Sequence, residues 1–150
     1  MMQKTIQSEN APKAIGPYSP AVKIGDFILL SGQLPIDPAT GRIVEGGIAE
    51  QTAQCIRNMK ALLEESGIGL EYVLKTTVFL TDLNDFAEMN KVYGEYFSEP
   101  YPARSAAEVS KLAMGAKVEI EAYAIDTRAL EVICSQEGCS SCSDKEGCEL

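Results

Sequence analysis

Alternating apolar and polar positions predict several β-strands in the first third of the chain. Residues 3–8 alternate weakly, which is typical of an edge strand. Residues 21–34 predict a β-hairpin that turns at Gly25 and Asp26. The apolar run at residues 27–30 is typical of a strand buried on both faces. We therefore expect a sheet that begins with consecutive strands joined by short connections.

Residues 49–66 show the 3.6-residue period of an amphipathic helix. Ala53, Ile56 and Leu63 fall near one face, which predicts the side that packs on the sheet. The polar residues are predicted to lie mostly on the other faces: Gln51, Gln54, Arg57, Asn58, Glu64 and Glu65.

A second helix is predicted to begin near Asp82 or Asn84, whose side chains can cap its first turn. It ends before Pro100, because proline cannot continue a helix. Asn90 lies on the apolar stripe of this helix. Its amide either bonds to a nearby loop or reaches into a pocket, and the pattern leaves both interpretations open.

Two further strands complete the predicted elements. Residues 72–81 are rich in β-branched and aromatic side chains and predict a central strand. Residues 118–122 alternate strictly, so Glu119 and Glu121 point together to one face. Those carboxylates are either solvated or, with the nearby Arg104, part of a site that binds a small carboxylate through a bidentate guanidinium.

The order β-β-β-α-β-α-β-β predicts an α+β sandwich, with two helices on one face of a mixed, mostly antiparallel sheet. The other face is then bare and carries Glu119, Glu121 and Tyr123. A face that mixes apolar and polar groups often meets another subunit. We therefore expect a homo-oligomer.

Composition narrows the chemistry. The chain has 150 residues, 45% of them hydrophobic, which suits one domain with a proper core. The net charge of −9 and the absence of a basic stripe disfavour a nucleic-acid partner. The sequence contains no histidine, which excludes a Ser-His-Asp triad, a Cys-His dyad and any His-containing metal site in this chain. A polar start and the lack of a long apolar run predict a cytoplasmic protein with no membrane partner.

The last residues differ in composition from the rest, so we predict a domain at 1–128 and an acidic, flexible tail at 129–150. The tail carries four cysteines: Cys134, Cys139, Cys142 and Cys148. Thiolates at this spacing could bind zinc or an iron–sulfur cluster, although zinc ribbons usually use two widely separated C-x-x-C pairs. The alternative is a mobile tail with reduced thiols.

Five segments of the chain resemble motifs of the YjgF/Rid family, most closely its RidA branch of reactive-intermediate deaminases. They are residues 16–20 (GPYSP), 31–35 (SGQLP), 75–86 (KTTVFLTDLNDF), 101–105 (YPARS) and 118–122 (VEIEA). The similarity covers roughly residues 3–128 in the same order, and the tail lies outside it. The resemblance implies a chorismate-mutase-like fold and a homotrimer with active sites between subunits. It also implies hydrolysis of 2-imino acids, such as 2-iminobutanoate and 2-iminopropanoate, to 2-keto acids and ammonia without a cofactor.

The resemblance also assigns roles to individual residues. Arg104 matches the arginine that binds the substrate carboxylate, Glu119 the glutamate that positions the attacking water, and Tyr18 the pocket tyrosine. Further positions that match the lining of the cleft are Ser31, Gly32 and Asn90. Ala106 stands where many family members have cysteine, at a position that contacts the ligand mainly through its backbone. Thiol chemistry at this position is therefore not expected.

Two other functions remain open on the sequence alone. An arginine-lined cleft could bind or sense small carboxylates without turnover. The ribonuclease or translation-inhibitor activity attributed to some relatives is disfavoured by the acidic body of the chain.

Overall fold

A computed structural model describes residues 3–129. The predicted cysteine-rich tail lies outside the described residues, apart from its first position. The elements are, in chain order, β1 (Lys4–Ile6), β2 (Ala21–Ile24), β3 (Phe27–Gln33), β4 (Ile36–Asp37), β5 (Arg42–Ile43), α1 (Ile48–Glu64), β6 (Val73–Leu80), α2 (Phe86–Tyr96), β7 (Ala103–Glu108) and β8 (Val118–Ile125).

Six of the strands form one sheet in the order β1-β2-β3-β8-β6-β7. All neighbouring pairs are antiparallel except β6 and β7, which are parallel and connected through α2. The strands β4 and β5 form a separate small hairpin. Both helices pack on one face, so the predicted α+β class with a mixed, mostly antiparallel sheet is confirmed.

The core lies between the helices and the sheet because alternate strand residues point toward the helix layer. In β8 these are Val118, Ile120 and Ala122, each fully buried. Val78 and Leu80 on the neighbouring β6 are equally buried. The period-2 pattern read from residues 118–122 therefore describes the strand correctly.

The opposite face of the sheet is left uncovered in the single chain. Phe27 is 58% exposed and Tyr123 45% exposed, and they lie on neighbouring strands. Glu119 and Glu121 share this face, as predicted. The prediction that residues 27–30 are buried on both faces is wrong for the single chain, since Leu29 is 39% exposed while Ile28 and Leu30 are buried.

The polar residues of α1 depart most from the prediction. Gln51, Gln54 and Asn58 were expected mostly away from the core, but the structure buries all three. The Asn58 amide donates to the carbonyls of Leu34 and Ile36, at 3.0 and 2.9 Å. These bonds satisfy groups that would be costly to bury alone.

A second bond of the same kind joins α1 to the start of β8. The Gln51 side-chain oxygen accepts from the Lys117 backbone amide at 2.8 Å. Gln54 in turn donates to the Asn58 side chain at 2.8 Å. These three residues form an amide stripe on α1 that joins the helix to two loops distant in sequence.

Candidate active site

A cavity of about 480 Å³ opens on the side of the sheet that carries Glu119. Four of the predicted site residues line it together: Tyr18, Ser31, Gly32 and Glu119. The rest of its wall is formed by Pro12, Lys13, Ile15, Pro20, Gln33, Leu34, Ile36, Ala113 and Met114. The cavity therefore combines one carboxylate and a few polar groups with a largely apolar surround, as small-molecule sites do.

The Tyr18 loop is held against β3 by Ser31. The Ser31 amide donates to Pro20 O at 2.9 Å, and its hydroxyl donates to Ser19 O at 2.7 Å. Both bonds extend the pairing of β2 with β3, whereas the pairing of β3 with β8 shifts register between Leu30 and Gln33. Ser31 thus fixes the segment that presents Tyr18.

Gly32 leaves the space that the Glu119 side chain occupies. A Cβ atom added at Gly32 would overlap the carboxylate and lie 2.7 Å from Glu119 Cδ. A larger residue at this position would displace the Glu119 side chain from the β3 backbone. The resemblance places Gly32 in the lining of the cleft, and in the structure this glycine leaves room for the Glu119 carboxylate beside β3.

Half-burial raises the pKa of Glu119, and the charge of Glu121 on the same face raises it further. A carboxylate with a raised pKa is a better proton acceptor than one in water. Glu119 is therefore suited to accept a proton from a water molecule in the cavity.

We expect Glu119→Gln to abolish catalysis while raising the melting temperature at neutral pH. The folded chain binds this proton more tightly than the unfolded chain, so the group is stabilising at acidic pH. That contribution is lost as the pH rises through the raised pKa. Glutamine removes the ionisation and with it the cost. A pH series of Tm for the wild type and the variant would show curves that converge in acid and diverge near neutrality. Parallel curves would contradict a raised pKa of Glu119.

Arg104 lies elsewhere, against α2. Its guanidinium carbon is 4.7 Å from the ring centroid of Tyr93 and 5.6 Å from that of Phe86. Such stacking holds the guanidinium by cation–π attraction without using its N–H donors. Within residues 3–129, no carboxylate forms an ion pair with Arg104. Its hydrogen-bonding edge is therefore available to an anion.

Tyr93 is itself held in place by a hydrogen bond to the sheet. Its hydroxyl shares a 2.8 Å hydrogen bond with Thr76 Oγ1, and both residues are buried. Burial raises the pKa of Tyr93, while the Thr76 bond and the Arg104 charge lower it by less. The phenol thus stays neutral and serves as a support for Arg104.

Asn90 and Ala106 belong to the Arg104 side. Asn90 lies one helical turn from both Phe86 and Tyr93 on α2, and is half-buried. Ala106 lies two residues after Arg104 on the edge strand β7 and therefore faces the same way. Neither residue lines the Glu119 cavity.

The predicted site residues therefore form two groups on opposite faces of the sheet. Glu119 pairs with Phe79 of β6, whereas Arg104 pairs with the buried Thr76 on the other edge of that strand. Strand spacing and rise place the Glu119 and Arg104 Cα atoms about 14 Å apart, with side chains pointing to opposite sides. One chain does not bring Arg104 to Glu119.

Several residues at these two groups were missed by the sequence prediction. Phe86 and Tyr93 were not among the predicted site residues, although they support Arg104. Met114 was not singled out, although it lines the Glu119 cavity with a positive φ of 57°. The adjacent Gly115 was the one local signal of an unusual turn. Within residues 3–129 no cluster of carboxylates and cysteines is arranged to hold a metal ion.

A two-helix sandwich whose uncovered face carries a cavity with one carboxylate and a largely apolar wall defines a class of α+β proteins with a site of metabolite size. The sequence pattern described as Endoribonuclease L-PSP matches residues 8–126, and the chain belongs to this family. The predicted membership of the YjgF/Rid group is thereby confirmed.

Individual relatives agree in sequence and fold. A RutC family protein of Pyrococcus abyssi is 57% identical over 124 residues, covering 83% of this chain and 98% of the relative. The 2-iminobutanoate/2-iminopropanoate deaminase of Escherichia coli is 47% identical over 127 residues, covering 83% and 98%. The crystal structure of E. coli TdcF with bound serine superposes with a TM-score of 0.78 at 41% identity, covering 82% of this chain and 98% of TdcF.

Proposed function

We propose that this protein hydrolyses 2-imino acids, such as 2-iminobutanoate and 2-iminopropanoate, to 2-keto acids and ammonia. The oxygen of water bonds to the carbon of the C=N group, while the nitrogen takes up a proton. The resulting carbinolamine then loses ammonia as its hydroxyl becomes the keto oxygen. One imino acid and one water give one keto acid and one ammonia, so the balance needs no oxidant and no cofactor.

The observation that carries the proposal is the Glu119 carboxylate, held against the Gly32 backbone in a cavity of metabolite size. In this position Glu119 can accept a proton from the attacking water and return it to the departing nitrogen. Tyr18 borders the same cavity and presents its phenol from a loop that Ser31 fixes. Because an imine is already electrophilic, orienting one water molecule supplies much of the required acceleration.

Arg104 supplies the anchor for the substrate carboxylate in this proposal. Its stacked guanidinium offers two parallel N–H donors to a carboxylate. Asn90 and the backbone at Ala106 lie on the same side and complete the carboxylate-binding half. The substrate then spans two groups of residues, with its carboxylate on one and its imine carbon on the other.

We infer that the two halves meet between subunits of a homotrimer. Arg104 and Glu119 lie on opposite faces of one chain, so a site containing both requires a second copy. The uncovered sheet face, with Phe27, Leu29 and Tyr123 exposed, offers an apolar surface for that contact. A contact between two different patches closes into a ring of identical subunits, and a trimer is such a ring.

Coupling the protein to a threonine dehydratase tests the activity directly. The dehydratase releases 2-iminobutanoate, and the added protein is expected to accelerate ammonia release above the rate without it. An RNA-cleavage assay across a salt series addresses the ribonuclease alternative, for which the acidic body predicts no binding. Calorimetric binding of 2-ketobutanoate without acceleration of hydrolysis would instead favour the binding module.

Truncation after Arg128 is expected to leave imine hydrolysis within about twofold of the full chain. The structure supports this boundary, because Arg128 donates to Gly67 O at 2.8 Å and to Asp126 Oδ1 at 2.8 Å. The bonds that Arg128 and Lys23 donate to the Asp126 carboxylate hold its pKa far below its usual range. The end of the sheet is therefore fixed before the tail begins.

The same truncation tests the four tail cysteines. If they bind metal, full-length protein purified without chelator carries roughly stoichiometric zinc or iron, and the truncated protein carries none. Loss of activity or of the oligomer on truncation would show that the boundary at residue 128 is wrong. A cytoplasmic location and the lack of nucleic-acid and membrane partners stay predictions; within residues 3–129, no helix has the length and apolarity to cross a bilayer.

A further inference from the structure

Met114 combines a strained backbone with an exposed apolar side chain. Its φ of 57° lies in the left-handed region, and among residues 3–129 it is the one non-glycine residue there. That conformation disfavours residues other than glycine, asparagine and aspartate. Met114 is also 51% exposed in the single chain, so burial of the side chain within its own chain does not offset the strain. Folding stability alone therefore favours glycine at this position.

The loop around Met114 is held at its end by the rest of the fold. Lys117 O accepts from the Thr81 amide at 3.0 Å, and the Lys117 amide donates to Gln51 at 2.8 Å. The Ala116 amide closes the preceding turn on Ala113 O at 3.2 Å. These contacts hold the turn in place and direct the Met114 side chain to the cavity.

Apolar side chains left in water gather at this cavity. Ile15, Tyr18 and Met114 are all exposed large hydrophobic residues, and all three line it together with Glu119. A volume of about 480 Å³ exceeds what a three-carbon imino acid fills. The spare apolar wall is suited to the side chain of a larger substrate.

We propose that Met114 is a specificity-determining residue that contacts the side chain of the bound imino acid. It favours substrates with a longer apolar chain over the methyl group of 2-iminopropanoate. The inference rests on the proposed hydrolysis and adds to it the class of substrate. A flexible thioether suits this role, because methionine adapts to apolar groups of different shape.

The test compares three unbranched imino acids, 2-iminopropanoate, 2-iminobutanoate and 2-iminohexanoate, each generated by an amino-acid oxidase. In Met114→Gly the ratio of kcat/KM for the six-carbon substrate to that for the three-carbon substrate falls about fivefold to tenfold. Met114→Leu keeps an apolar chain and retains the wild-type ratio. Met114→Gln introduces a polar amide and lowers this ratio.

Measurements of Tm and of the oligomeric state distinguish a role of Met114 in substrate specificity from a structural role. Met114→Gly has a Tm equal to or above that of the wild type, because the backbone strain is relieved. An equal loss for all chain lengths, a lower Tm or a changed oligomer would overturn the inference. Calorimetric binding of the matching 2-keto acids gives the same length series without turnover. If the wild type fails to hydrolyse any imino acid, the proposed function fails, while the binding series still decides the role of Met114.

Discussion

Replacing Arg104 by alanine is expected to lower kcat/KM for 2-iminobutanoate hydrolysis by about 100-fold or more. The guanidinium stacks on Phe86 and Tyr93 and keeps its donors directed away from them. Without it, the substrate carboxylate loses the guanidinium that binds it in the proposed site, and the imine carbon is no longer held near Glu119. The coupled dehydratase assay measures the effect.

Two further variants at arginine positions sharpen this result. Arg104→Lys keeps the charge but not the two parallel donors, so we expect most of the loss to remain. Arg42→Ala is the matched control, because Arg42 is exposed on the β4–β5 hairpin and lines no part of the cavity. Circular dichroism and light scattering should show all three variants folded and assembled like the wild type. Near-normal kcat/KM in Arg104→Ala would refute the proposed anchoring.

Mixing two inactive variants is expected to restore activity. Each site needs Arg104 from one subunit and Glu119 from its neighbour in the proposed trimer. When Arg104→Ala and Glu119→Gln chains are co-refolded in equal amounts, the chance of an intact pair is one half times one half. About a quarter of the wild-type activity should therefore return.

The matched control mixes wild-type chains with the double variant Arg104→Ala/Glu119→Gln. A site shared between subunits again gives about a quarter of the wild-type activity, whereas a site within one subunit gives about a half. No recovery in the first mixture together with one half in the second would place both residues in one chain. Sedimentation of the mixtures reports whether three chains assemble.

Much of the fold could be predicted because its elements follow simple periods. Strand β8 alternates strictly, and both helices have an apolar stripe, so their order and the uncovered face could be inferred. The amide stripe on α1 could not be predicted in this way. Gln51 can be buried because the Lys117 amide donates to it. Asn58 can be buried because it donates to the carbonyls of Leu34 and Ile36. These partners are distant in sequence.

The candidate site could be predicted only in part for a related reason. The motifs identify Arg104 and Glu119, but their placement on opposite faces depends on strand register. Strand β6 lies between β7 and β8 and pairs with both. Its Thr76 pairs with Arg104 and its Phe79 pairs with Glu119, and these two β6 residues point to opposite faces. Met114 follows no period at all, since its position comes from a turn held by distant contacts.

The amide stripe on α1 couples the opening of the cavity to the integrity of the helix. Asn58 holds the segment of Leu34 and Ile36, which forms one wall, and Gln51 holds Lys117 at the base of the strand that carries Glu119. Local unfolding of α1 would release the wall segment and the base of the Glu119 strand at the same time. The helix and the cavity therefore belong to one cooperative unit, and a partly unfolded chain that keeps its sheet has no organised site.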